Sequence, residues 1–331
     1  MKKYYFVGYT DKRVETQHLA DLLEDESIVF VSDNLVPTLR NEKLLKKFFF
    51  FCHRWNIISD GEPLFSKYWN KYYSLMQYDF DDNDEHYVIF WDSAISMYYS
   101  EAFFKELKSH QNIKLVFYIY DQMTQVYSDR ILRMAKYADL VYCTIPSDCK
   151  KYGFKYFPLV YPEININSLD TNIVNDLYFM GSDGGRIDDL HSIYDYLSDE
   201  GVICDFNIVG VDPNKCTHKG ITYNKKKTTK ENLQHTLNSN CVLEVMHEGM
   251  NAVTSRYPEV LALKRKLLTN NKNVITEPFY NSQYIRVFSS LEDIDVNWLK
   301  KKDNVDYGYN NDFSAKEFIK QIEKCDDLKK N

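Results

Sequence analysis

Short apolar runs rich in β-branched and aromatic residues alternate along this chain with longer polar stretches of helical period. In the first half the pattern predicts strands at residues 4–7, 28–31, 87–91, 115–120, 140–143 and 156–159. Helices are expected between them over 43–53, 63–76, 100–109 and 128–137. The rhythm then restarts, with strands at 177–180, 206–209, 242–245, 267–269 and 285–288. The helices of this half are expected over 188–200, 230–238, 257–264 and 315–325. Alternation of this kind predicts parallel sheets covered on both faces, and two such runs predict an α/β chain of two doubly wound domains. Residues 161–175, YPEININSLDTNIVN, carry Pro162, several Asn and no sustained apolar period, and so read as a linker. The expected organisation is a first domain over 1–165, a second over 175–312, and a terminal segment, 313–331, whose helix packs back on the first. Ligands of doubly wound sheets sit beyond the carboxyl ends of the strands. Two facing sheets share a central cleft, which suits an enzyme with two substrates or a protein that closes on one ligand.

Composition narrows the class. The chain has 331 residues, 44% hydrophobic and 27% charged, an ordinary composition for a soluble protein. Its net charge of -7 argues against a general nucleic-acid binder. Residues 1–8 run into a strand and a polar turn, unlike a secretory leader, and the longest apolar run, 48–52, is too short to span a bilayer. The seven Cys form no CxxC pair and no cluster at zinc spacing, so reduced thiols in a cytoplasmic protein are expected. The 27 Tyr and 20 Phe are chiefly packing residues, although aromatic faces also stack on sugar rings.

The candidate chemistry gathers in the second half. In LYFMGSDGGR a strand runs into Gly181, Ser182 and Gly184, and Arg186 opens the next helical period. Glycines there let the backbone approach a phosphate. The spacing is neither a dinucleotide fingerprint nor a P-loop, and a plain Asp-Gly turn is the competing reading. Further on, CVLEVMHEGMNAVTSRYPEVLALKRKLLTNN reads strand, loop, helix, strand. His247, Glu248 and Gly249 occupy its polar turn, and Thr254, Arg256 and Glu259 stand in a row at the helix start. A helix N-terminus suits a diphosphate, Arg256 can fork onto phosphate oxygens, and Glu259 can accept from a ribose diol. Glu244 lies inside the strand, where it can orient a loop. In the first half, Asp92 and Asp121 each follow a strand, the place for a general base, though each also suits a helix N-cap. Asp79 and Asp81 form a DxD within an acidic run that more often is a solvated loop than a metal site. Lys225–Lys227 and Lys230 form a basic turn that could meet an anionic acceptor or membrane surface.

The second half resembles bacterial GT-B-fold glycosyltransferases of the capsule and lipopolysaccharide biosynthesis type. The likeness is carried by Met250 to Arg256, then Glu259-Val260-Leu261, then Arg265 to Asn270, with Phe279-Tyr280-Asn281 beyond. That family has Gln where this chain has Met250 and Gly where it has Ala252. The resemblance implies two Rossmann-like domains, with Thr254, Arg256 and Glu259 on the donor nucleotide. It implies transfer of a hexose from a UDP or GDP sugar to a hydroxyl of a growing, lipid-linked surface glycan, with no cofactor or metal required. Peripheral contact with the inner membrane face would follow. Two alternatives stand beside it, a nucleotide-sugar epimerase of the same architecture and a non-catalytic sugar-binding protein.

Overall fold

The computed structural model describes the chain except residues 9–18, 32–34, 59–61, 81, 92–98, 124, 167–168, 248, 251 and 331. It divides into two compact units, one of Met1–Pro162 together with Phe313–Asn331, the other of Glu163–Asp312.

The first unit contains, in order, β1 (Lys2–Val7), β2 (Ile28–Val31), α1 (Pro37–Asn41), α2 (Lys43–Ile58), α3 (Ser66–Trp69), β3 (Glu85–Trp91), α4 (Glu101–Leu107), β4 (Ile113–Ile119), α5 (Gln125–Ala135), β5 (Leu140–Cys143), α6 (Pro146–Tyr152) and β6 (Lys155–Tyr156). Its six strands are all parallel, in the order β2-β1-β3-β4-β5-β6. Alternate side chains of each strand enter separate cores, as a period of two requires. On one face Tyr5, Val88, Phe90 and Phe117 meet Phe49 of α2 and Phe103 and Phe104 of α4. On the other, Tyr4, Tyr87, Tyr118 and Tyr142 meet Phe318 and Ile322 of the last helix, α11 (Ala315–Lys330). Buried phenols need partners. Tyr4 donates to Glu323 at 2.5 Å and Tyr87 to Asp326 at 3.0 Å. Tyr142 donates to the Gln321 carbonyl at 3.2 Å and Tyr118 to that of Pro158 at 2.9 Å.

The second unit contains β7 (Asn175–Ser182), α7 (Ile187–Asp199), β8 (Cys204–Val209), β9 (Thr222–Tyr223), α8 (Thr229–Leu237), β10 (Ser239–Glu244), α9 (Arg256–Leu263), β11 (Lys266–Thr269), β12 (Ile285–Val287) and α10 (Val296–Lys300). Its sheet is also parallel throughout, in the order β12-β11-β10-β7-β8-β9. Chain direction across the sheet reverses between β7 and β10. Such a switch point opens a crevice beyond the strands' carboxyl ends.

Several expectations need correction. The helix expected over 63–76 is only the single turn of α3 followed by two 3₁₀ turns, and Phe65 before it has a left-handed backbone, φ 59°. The strand expected at 156–159 shrinks to the two residues of β6. The short elements α1, α6, β9 and α10 carry too few residues to show a period, and the sequence reading misses them. The cysteines are not all reduced: Cys143, ending β5, is disulfide-bonded to Cys149 of α6, six positions on. Strand end and helix bring the two Cα atoms to 5.9 Å, inside the range a bridge requires.

Candidate functional site

The site builds up from the carboxyl ends of β7 and β10, the two strands at the switch point of the second sheet. β7 ends in Gly181 and Ser182, and a turn of Asp183, Gly184 and Gly185 leads to α7. Gly184 and Gly185 have φ of 49° and 84°, values that favour glycine. Gly184 is required for a second reason: a Cβ there would lie 1.9 Å from Cε1 of His247. His247 comes from the loop after β10, and its Nδ1 bonds the Gly184 carbonyl at 2.8 Å. A carbonyl only accepts, so Nδ1 carries the proton there. Gly249, φ 78°, closes the tight turn in which the Met250 amide bonds the His247 carbonyl at 3.1 Å. Glu248 lies outside the described residues.

Arg186 ties the two strand ends together. Its guanidinium donates to the carbonyls of Ser182 at 2.6 Å, Asp183 at 3.2 Å and Val245. It makes no ion pair among the described residues. Burial pulls its pKa below the ordinary guanidinium value, while the charges of Asp183 and Glu244 act against that. Asp183 caps α7 by accepting from the Ile187 amide at 2.9 Å. The amides of Gly184, Gly185, Asp188 and Asp189 form no hydrogen bond among the described residues. Two glycine amides, two first-turn amides of a 13-residue helix and a half-buried cation therefore converge on one strand end. That arrangement suits an anion. Asp188 and Asp189 place carboxylates in the same turn and work against it.

The second row is arranged differently from the sequence expectation. Thr254 donates to Glu244 at 2.5 Å, and Thr269 donates to the other oxygen of Glu244 at 2.5 Å. Buried Glu244 thus holds the loop before α9 against β10 and β11. Arg256 bonds Glu259 at 2.7 Å and the Met180 carbonyl at 2.6 Å, which pins α9 to β7. Glu259 is 4% exposed and also accepts from Thr236 at 2.6 Å and Asn232 at 3.5 Å. Its oxygens are committed to these internal partners, so a direct ribose contact does not match the geometry. The first amides of α9 are committed as well: Arg256 N–H bonds the Thr254 hydroxyl at 3.1 Å, Tyr257 N–H the Thr254 carbonyl at 3.2 Å, and Glu259 N–H the Ser255 carbonyl at 3.1 Å. The anion-ready helix end is that of α7, not α9. Asn232 and Thr236 lie on α8, more than twenty positions before Glu259, and no local spacing announces them.

In the first unit Asp92 lies outside the described residues. Asp121 follows β4 and is exposed, and the protein packed around its carboxyl raises its pKa. Asp79 is exposed, and Asp81 lies outside the described residues. The acidic run around them precedes β3, at the amino end of the sheet, and Lys3 pairs with Asp82 at 3.0 Å and Asp84 at 2.8 Å. Among the described residues no three His, Cys, Asp or Glu converge as a metal site. In the basic turn, Lys227 bonds His235 at 2.9 Å, and His235 bonds Asp205 at 2.5 Å. A cavity of about 640 Å³, which sequence reasoning did not signal, opens between α3 and α4, with Glu62, Lys67, Glu101, Lys105 and Glu106 in its wall.

No protein-family model matches the chain, and no curated protein matches it. Solved structures do. An α,α-trehalose-phosphate synthase (UDP-forming) from Burkholderia vietnamiensis is similar over 100% of this chain and 99% of its own, at 9% identity and a TM-score of 0.54. A putative UDP-N-acetylglucosamine 2-epimerase from Listeria monocytogenes covers 96% of this chain and 94% of its own, at 12% identity and a TM-score of 0.48. At 9% identity the likeness to the trehalose-phosphate synthase establishes the fold alone: two doubly wound parallel sheets of the GT-B type.

Proposed function

We propose that this chain is a glycosyltransferase that takes a sugar from a UDP or GDP sugar and passes it to a hydroxyl of a bacterial surface glycan. The observation that carries the reading is the group of amides that form no hydrogen bond among the described residues, beside the half-buried guanidinium of Arg186, at the switch point of the second sheet. The leaving group of such a transfer is a nucleoside diphosphate, and its negative charge grows as the glycosidic bond breaks. Fixed amide dipoles and Arg186 would stabilise that charge without a metal. Ser182, Gly249 and the free Nε2 of His247 are assigned to the donor sugar and phosphates. Thr254, Arg256, Glu244 and Glu259 are assigned to positioning, because each is spent on an internal side-chain partner, whereas Arg186 bonds carbonyls and makes no ion pair among the described residues. The second unit takes the donor role and the first the acceptor role. Asp121, whose raised pKa moves it toward the range of a general base, and Asp92 are the candidates to deprotonate the acceptor hydroxyl.

A thermal-shift series with UDP, GDP and their sugars tests this. At about one hundred times Kd a ligand stabilises its protein by about 2.7 kcal/mol. The parent is expected to shift with one nucleotide diphosphate, and Arg186→Ala is expected to lose the shift measured against its own unliganded Tm, which the loss of three carbonyl bonds lowers. If no nucleotide shifts the parent, or Arg186→Ala shifts equally, the donor assignment is wrong.

A further inference from the structure

We propose that the first unit docks on an anionic lipid surface through the outer face of α2 and the segment leading into α3. The inference stands apart from the donor site. Helix α2, KLLKKFFFFCHRWNII, carries two apolar stripes rather than one. Leu45, Phe49, Cys52 and His53 face the core. Leu44, Phe48 and Phe51, spaced i, i+4 and i+7, form a second row that points away from it. Leu44 is 82% exposed and Phe51 57%. The fold adds to this row from elsewhere in the chain: Phe65 lies beside Phe48, ring centroids 6.4 Å apart, with exposed Leu64 and Tyr68 next to it. Together they make a contiguous apolar face, the kind that marks an interaction surface rather than scattered surface residues.

Phe65 is the most telling member. It is 65% exposed and sits at φ 59°, a conformation that a bulky side chain adopts only at a cost. It neither fills the core nor suits its backbone.

Charge selects the occupant. Residues 40–71 contain seven Lys and Arg against three Asp and Glu, inside a chain of net charge -7. Lys43, Lys46, Lys47, Lys67 and Lys71 all lie on the exposed surface of these elements, and Lys71 sits over the Tyr68 ring at 4.4 Å. Apolar tips rimmed by lysines whose stems can reach past them form an interfacial surface, with rings among acyl chains and ammonium groups among anionic headgroups. Among the described residues no helix is long and apolar enough to cross a membrane, so the contact is peripheral.

Flotation of the full chain with vesicles tests this. The parent is expected to float with phosphatidylcholine vesicles containing phosphatidylglycerol, to stay in solution with phosphatidylcholine alone, and to be released by salt. Lys43→Glu with Lys47→Glu should weaken binding on the order of a hundredfold. Leu44→Ser, Phe51→Ser and Phe65→Asn combined should abolish flotation. Phe65→Asn alone should keep or raise the Tm, because Asn tolerates that backbone, while still weakening flotation; a packing role would show the reverse. Failure to float at any composition, equal binding to both vesicle types, or full binding by the triple variant would overturn the proposal. So would a parent dimer that the triple variant converts to monomer, which would assign this face to a second copy.

Discussion

Both units close six parallel strands between helices, yet they hold those strands with different chemistry. The first sheet is packed by rings: Tyr4 and Tyr87 stack at 5.1 Å, Phe90 meets Phe104 at 5.2 Å, and buried tyrosines hand their hydroxyls to α11. The second sheet has an aliphatic core and places its polar groups at strand ends, where Glu244, Arg256 and Glu259 clamp loops and Arg186 bridges β7 to the segment after β10. Rings make a broad, shape-selective core with little charge to present. Buried ion pairs cost desolvation but fix a few loop atoms sharply. The difference is one of polar groups: they gather at the carboxyl edge of the second sheet, where the donor site is proposed.

The largest expected effect breaks the clamp. Glu259→Ala would leave Arg256 partly buried without its carboxylate and Thr236 without its acceptor. Losing one partner of such a pair should cost the second unit about 3 to 5 kcal/mol. Chemical denaturation followed through probes in each unit should show the second transition move and the first stay. Equal movement of both would mean that the clamp is not local to its sheet.

Next comes the acid sensitivity that His53 gives the first unit. His53 is buried among Phe49, Trp69 and Tyr73, where its Nδ1 donates to the Phe49 carbonyl at 2.7 Å and its Nε2 accepts from Tyr73 at 3.1 Å. Both bonds suit the neutral ring, and burial lowers the pKa to about 4. The unfolded chain takes up this proton near pH 6.5, while the folded unit refuses it until about pH 4. Stability is therefore fully present above pH 6.5 and falls as pH drops through that window, by about 3 kcal/mol in total. The difference in slope between parent and His53→Leu, from urea melts across the window, isolates this group. Parallel slopes would discard it.

How much of this was legible in the sequence follows the same division. Longer apolar strands announce themselves, so most of both sheets could be drawn from the pattern, while the two-residue edge strand β9 could not. Where rings replaced a period, as over 63–76, Trp69 and Tyr73 imitated a helix while Pro63 and the left-handed Phe65 prevented one. The glycine turn and Arg186 were visible because they are contiguous. The partners of Glu259 were not, since Asn232 and Thr236 reach it only through the packing of α8 on α9. The Cys143–Cys149 bridge gave no signal either, because its spacing matches no motif and only the meeting of β5 with α6 brings the thiols together. It staples the first unit alone among the described residues. Reduction should cost that unit about 2 kcal/mol on the chain-entropy model for so short a loop. Mass spectrometry of the alkylated, unreduced chain should show five reactive thiols, and seven would remove the staple.

The smallest expected effect is the sharpest test of the division of labour. Asp121→Asn keeps the shape of the side chain and removes a carboxylate whose surroundings already disfavour its charge, so folding stability should change little. If the second sheet alone receives the nucleotide, the variant should show the parent's full thermal shift with UDP or GDP. If Asp121 is the base, sugar transfer to a hydroxyl acceptor should still fall by about two to four orders of magnitude, the usual reach of general-base catalysis. An intact shift with lost transfer would separate binding from chemistry along the line between the two sheets. A lost shift would mean that the first unit also holds the donor, and the contrast between ring-packed and ion-clamped sheets would then not be a contrast of roles.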